Sequence, residues 1–455
     1  MDRLSLSLVA ATLLIASTGS DAANPAVATP DPGFFCGTAS VCTAAPRSQF
    51  NVDLGGVLED TLKAIVPLVD GRSVLIGRAR DDVNDADLVF GRLSANGTRD
   101  FTFGGPAGIR NYPGPDSVQD IQVDAQGRYL VMFRLNAGFT VARYLPDGLP
   151  DTNFSGDGSI DVDIGVSTRS AGALMVLPDG KIAAIISVFT SSTTYDIGFA
   201  RLTTDGNLDS TFDGDGKGVY AISSFRPWLV NGMTLRRNGR WFISASIESA
   251  AGPTTQTLAL ACTAGTGSNS IICDETTSDA LDFATCASQG ATGGTHINDI
   301  VRMPNGSVLG VGTYYPYPYV SGNYRALAVL WDANSLDMEV AKCLAGSSSY
   351  IAKIRRTGTG SAVTHFRDSA EPTKAFAMAM STNGVNDLSF GPISLGVDWP
   401  TQAGTSSDLG YGGFSLAYLN GKVYLGASRR WVNSDFDFAV ARYNTDELFS
   451  SSMGD

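Results

Sequence analysis

Histidine is almost absent, with His296 and His365 the only two in 455 residues. They lie far apart in the chain, and no Gly-x-Ser-x-Gly elbow, His-Glu-x-x-His pair or phosphate-cradling glycine loop adjoins either. Most histidine-based catalysis and metal binding is thereby excluded. Cysteine is sparse too. The six cysteines lack zinc spacing, because the Cys36/Cys42 pair has no second pair or nearby histidine to complete four ligands. Charged residues make up 17% of the chain and form no long run. The net charge of −13 argues against nucleic acid or an anionic membrane as partner, since neither attracts an acidic surface. After the N-terminus, no apolar run is long enough to cross a bilayer.

What the chain has in abundance is glycine, with 51 residues, and much of it recurs in register. Apolar runs broken by a glycine turn centre on Gly71, Gly127, Gly180, Gly239, Gly306 and Gly421, with a weaker copy at Gly358 or Gly360. Their mean spacing is about 58 residues, the length of a four-stranded unit with its loops. Asp-Gly and Asn-Gly supply the positive φ angles of tight hairpin turns. A second repeated phrase supplies the third and fourth strands, as in Ala200–Val219, ARLTTDGNLDSTFDGDGKGV. Four short strands repeated radially predict an all-β propeller of seven four-stranded blades. Phe50–Gly55, FNVDLG, reads like an isolated fourth strand, so it is expected to pair with the C-terminal blade and close the ring.

The domain reading follows. Residues 1–22 form a signal peptide, with Arg3, a short apolar run and small residues before the cleavage region. Residues 23–48 form a Pro/Ala-rich leader, 49–447 the propeller and 448–455 a tail. In an exported chain the cysteines are expected as disulfides, most simply Cys36–Cys42, Cys262–Cys273 and Cys286–Cys343.

The phrase Ala-Arg-Leu-x-x-Asp-Gly-x-Leu-Asp-x-Thr-Phe-x-x-Asp-Gly resembles the bacterial delta-60 repeat, a propeller-forming unit of secreted or surface proteins. Blades one, two, three and seven match it best, whereas blade six has Ala379 in place of the arginine. The resemblance implies a scaffold and brings no catalytic residues.

Arg92, Arg143, Arg201 and Arg442 recur at one place on the third strand, and Asp100, Asp151, Asp209 and Asp387 recur farther along. One pair per blade reads as a structural brace. Calcium is the one cofactor with candidate ligands, in the run Asp81–Asp87 and in the acidic turns at Asp157 and Asp213, although no bidentate Glu completes a loop. The turns joining first to second and third to fourth strands are uniform and share one face, while the opposite face carries individual loops. There Tyr314, Tyr315, Tyr317 and Tyr319, interleaved with prolines, and Trp431 are candidate ligand-binding residues for a sugar or peptide. The alternative is that these rings seal neighbouring loops. The functional expectation is an acidic, monomeric scaffold, secreted, periplasmic or at the cell surface, that binds an extracellular protein or carbohydrate. The competing reading is a hydrolase or lyase acting on a polysaccharide at the channel.

Overall fold

The computed structural model describes residues 29–31, 34, 47–50, 60–80, 86–105, 107–113, 117–191, 195–222, 226–248, 255–277, 286, 293–316, 324–343, 349–357, 361–368, 374–381, 389–398, 414–430 and 436–444. Among them the regular structure is all strand. Blades one to six span 61–112, 118–163, 167–220, 226–277, 293–343 and 349–398, and each is a four-stranded antiparallel sheet. Strands are lettered A to D from the channel outward. The hairpin glycines recur where positive φ is required, with Gly71 at 85° and Gly180 at 82°.

The expectation of seven four-stranded blades is corrected. Six sheets are four-stranded blades, and the sheet that closes the ring is built differently, with five strands drawn from both ends of the chain. Its A to C strands are Ser415–Leu419, Lys422–Arg430 and Phe436–Asn444. Two short N-terminal strands lie end to end on the outer edge of the last of these. Arg47–Phe50 pairs with residues 438–441, and Thr29–Pro30 pairs with Tyr443 and Asn444. Of the closing strand expected at Phe50–Gly55, Phe50 ends a strand that pairs with the last one as expected, residues 51–55 fall outside the described residues, and Thr29–Pro30 adds a second strand that was not expected. The physical reason lies at Asp31, whose partners Lys422 and Arg442 are on the last two strands.

In blades one to three the recurring arginine and aspartate form one node. Arg92 Nε donates to Asp100 at 2.7 Å, Arg143 to Asp151 at 2.8 Å and Arg201 to Asp209 at 2.7 Å. A basic residue just after the A–B turn approaches the same carboxylate: Arg72 at 3.8 Å, Arg128 at 3.4 Å and Lys181 at 2.9 Å. Three residues beyond each aspartate a phenylalanine lies under the arginine, with Phe103, Phe154 and Phe212 centroids 4.8, 4.5 and 5.0 Å from the guanidinium carbon. Two of these rings also fill the glycine turn of the following blade. A Cβ on Gly148 would meet Phe103 at 2.9 Å, and one on Gly206 would meet Phe154 at 2.7 Å.

In the closing sheet Arg442 has the same environment, assembled from the other end of the chain. The Asp31 carboxylate lies 2.7 Å from Arg442 Nε and accepts from Lys422 Nζ at 2.5 Å, and its own amide donates to the Arg442 carbonyl at 3.3 Å. Phe34 lies 4.4 Å from the Arg442 guanidinium, and its ring would be 3.0 Å from a Cβ on Gly97 of blade one. The segment read from sequence as leader thus supplies the second half of the last repeat. Asp387, by contrast, falls outside the described residues.

Candidate functional site

The A strands stand side by side around a central channel. Its cavity of about 510 Å3 is lined by a segment of every A strand, from Ala64–Pro67 in blade one to Ser415–Tyr418 in the closing sheet. In all six four-stranded blades the A strand carries a register shift where it faces the channel, as between Leu62 and Ala64, Val118 and Asp120, or Ile351 and Lys353. Bulges of this kind re-aim side chains.

The residue after the shift defines a level in the channel: Ala64, Asp120, Gly172, Gly232, Asp299 and Lys353, with Ser415 beside them in the closing sheet. Three of these residues join adjacent A strands. Asp120 accepts from the Leu174 amide at 2.8 Å, Asp299 from the Ile354 amide at 3.1 Å and Ser415 Oγ from the Ile65 amide at 2.9 Å. Asp299 also holds Arg355 at 2.7 Å. Among the described residues Asp120 has no such close cation; burial raises its carboxyl above the usual range, only partly offset by the amides of Leu174 and Ile121, the Gln122 side chain and the charge of Lys353.

Lys63 is the residue bulged out in blade one. Burial, then the like charges of Arg78 and Lys353, lower its ammonium pKa from 10.5 to about 8. Neither the Lys63 nor the Lys353 ammonium has a hydrogen bond or salt bridge among the described residues. Repeat register could have pointed to this ring, because Asp120-Ile121 and Asp299-Ile300 repeat a dipeptide at one point of the A strand.

On the loop face the tyrosines separate. Tyr314 is 0% exposed and belongs to the core shared by blades four and five. Tyr315 remains partly exposed and begins a row of rings. Its centroid is 6.3 Å from Tyr324, Tyr324 is 6.2 Å from Tyr350, and Tyr350 is 6.2 Å from Phe414. Tyr315 and Tyr324 flank the B–C loop of blade five, whereas Tyr350 and Phe414 lie at the starts of the next two A strands. The row therefore runs inward toward the channel mouth. Tyr317, Tyr319 and Trp431 fall outside the described residues. Sequence reading missed Tyr324, Tyr350 and Phe414 because they are isolated in the chain and come together only through ring geometry.

The two histidines have structural neighbours. His365 is 0% exposed, with Nδ1 3.3 Å from the Ser415 carbonyl and its ring edge-on to Phe414 at 5.0 Å. His296 Nδ1 lies 2.8 Å from Ser246 Oγ. Asn231 donates to that hydroxyl at 2.8 Å, which leaves the hydroxyl proton for the imidazole. Burial lowers the His296 pKa to about 4, so the ring is neutral at physiological pH. Ser246 is 0% exposed and is thus no accessible nucleophile.

Among the described residues no group of three or more His, Cys, Asp or Glu is placed to hold a metal. The acidic turn at Asp213 instead serves the backbone, its carboxylate accepting from the Ser270 amide of the following blade. In the Asp81–Asp87 run only Asp87 is described within this loop segment besides Ala86, and it accepts from Asn111 at 2.8 Å. Disulfides join Cys262 to Cys273 and Cys286 to Cys343, while Cys36 and Cys42 lie outside the described residues.

Fold and channel together define a β-propeller protein. A family model described as "Domain of unknown function (DUF5122) beta-propeller" matches residues 177–212 and 420–446, in blade three and the closing sheet. No curated protein matches the chain. Among solved structures, a protein of unknown function from Dyadobacter fermentans is similar at 11% identity and a TM-score of 0.42, covering 88% of this chain and 98% of that one. A PL25 ulvan lyase is similar at 8% identity and a TM-score of 0.46, covering 87% and 96%. The β-propeller domain of the Trilobed protease from Pyrococcus furiosus is similar at 9% identity and a TM-score of 0.43, covering 84% and 95%.

Proposed function

We propose that the protein is an exported binding scaffold of the delta-60 type that captures an extracellular polysaccharide on its loop face. The observation that carries this reading is the row Tyr315, Tyr324, Tyr350 and Phe414, whose centroids are spaced 6.2 to 6.3 Å apart and which leads to the channel mouth. Aromatic faces on a rigid frame offer large apolar area with little entropy to lose, which suits stacking by sugar rings. Export is supported by the N-terminal apolar run and by two disulfides, which persist in oxidising compartments.

An array of bacterial and plant polysaccharides, peptidoglycan fragments and peptides, read for both capture and product release, tests the proposal. Glycan capture without turnover is the expected result, weakened in Tyr315→Ala and Tyr324→Ala while the melting temperature holds. Unchanged capture in both variants would overturn it. A hydrolase or lyase is the second reading, favoured by Asp120 and Lys63, whose proton affinities are shifted in opposite directions beside one channel. Product release in the same array would select it.

A further inference from the structure

Deepening the binding reading, we infer that Lys63 and Lys353 form an anion subsite at the inner end of the aromatic row, and that the ligand carries carboxylate or sulfate groups. The geometry begins with the A strand of blade six, Ser349–Arg356. Tyr350 stands opposite Arg367 and Lys353 opposite His365, with Ala352 the extra residue of the bulge between them. Without the bulge, residues three apart would point to opposite sides of the strand. With it, Tyr350 and Lys353 stand opposite partners two residues apart and so share a side. The last tyrosine of the row and the channel lysine are thus neighbours on one surface.

Lys63 approaches from blade one. It is the bulge residue near the start of its A strand, the loop-face end, and Lys353 acts on it as a like charge. Arg78, on the strand paired with it, is a third cation in the same region. Bringing cations together is unfavourable, and it is unexpected in a chain whose net charge is −13. The buried cation Arg143, by contrast, is paired with Asp151. Of the carboxylates at this level, Asp299 is committed to Arg355 and to the Ile354 amide. Asp120 is committed to the amides of Leu174 and Ile121, and burial favours its neutral form. Neither lysine has a salt bridge to a carboxylate among the described residues, Lys353 reaching Asp120 only through its charge, and an acidic ligand group supplies a direct partner.

The test uses the full mature chain. Binding is measured at low salt to oligogalacturonate, to a sulfated oligosaccharide and to a neutral oligosaccharide of equal length, with inorganic sulfate alone as a thermal-shift probe. The acidic oligosaccharides are expected to bind more tightly than the neutral one. Lys63→Met and Lys353→Met should each weaken the acidic ligand about tenfold, the loss of one charge-assisted contact, and abolish the shift by sulfate. The carboxylated and sulfated arms identify which acidic group the subsite takes. Lys63→Met should also melt no lower than the parent, because the change relieves a buried charge, which separates lost binding from lost folding. Equal affinity for neutral and acidic glycans, or binding indifferent to both lysine variants, would overturn the subsite. Glycan capture that depends on Tyr324 but not on the lysines would do so while leaving the scaffold reading intact. A sulfate shift without glycan capture would uphold the subsite and remove the polysaccharide.

Discussion

Asp31 has an effect out of proportion to its place near one end of the chain. It is buried against Arg442 and Lys422, and both cations lose their described carboxylate partner when it is neutralised. Asp31→Asn is expected to destabilise the protein by about 3 kcal/mol, as removal of one member of a buried pair does. The exposed pair of Arg240 with Asp274, whose carboxylate side chain is 67% accessible, should contribute less than ~1 kcal/mol on Asp274→Ala. Chemical denaturation of the two variants makes the comparison, and equal losses would contradict it. The same residue marks what sequence could reveal. Asp31 and Phe34 keep the spacing of Asp100 with Phe103, Asp151 with Phe154 and Asp209 with Phe212. The signal was legible, but the prolines and the cysteine nearby masked it as a leader. Lys63 and Tyr350 gave no comparable signal, since their significance arises from bulges and neighbours across blades.

Among elements, the inner hairpins were the most legible, because each is coded locally by an Asp-Gly, Asn-Gly or similar turn between apolar strands. All of those expected have their counterparts, from Thr61–Arg80 to Ser415–Arg430. The outer edge of the closing sheet was legible only in part: an N-terminal strand at Phe50 was expected to pair there, but its bounds and the second strand were not, because the two strands are only four and two residues long and acquire their register from a distant partner. Removing residues 29–50 should expose that edge and lower stability sharply, whereas removing 446–455 should leave the melting temperature nearly unchanged. Equal tolerance of the two truncations would show that the N-terminal strands contribute little. The disulfide between Cys262 and Cys273 ties the outer two strands of blade four across the sheet. Its double serine variant should lose about 2 kcal/mol, within the range of native disulfides, with the change read by thermal melting under oxidising conditions.

For the whole molecule, pH acts through the aspartate nodes. Burial raises Asp100, Asp151 and Asp209, but their hydrogen bonds and ion pairs outweigh it and leave all three carboxyls below the usual range. A depressed carboxylate stabilises the fold fully above its unfolded pKa of about 4, and that contribution disappears as pH falls through the folded value. Stability should therefore hold from pH 7 to 5 and fall steeply below about 4, as followed by melting temperature against pH. Lys63 has the opposite form of dependence. Its folded pKa of about 8 lies below the ordinary 10.5, so it penalises the fold at neutral pH and the penalty fades as pH rises through that interval. Lys63→Met should flatten this alkaline rise, and an unchanged profile would place its ammonium in water. The two-ended closing sheet also imposes an order of events. The carboxylate of Asp31 emerges early in synthesis and waits 391 residues for Lys422, so the newborn chain holds half of a clasp with nothing to fasten it to. Until the C-terminal strands arrive the circle stays open, so closure of the ring is among the last events available to the folding chain.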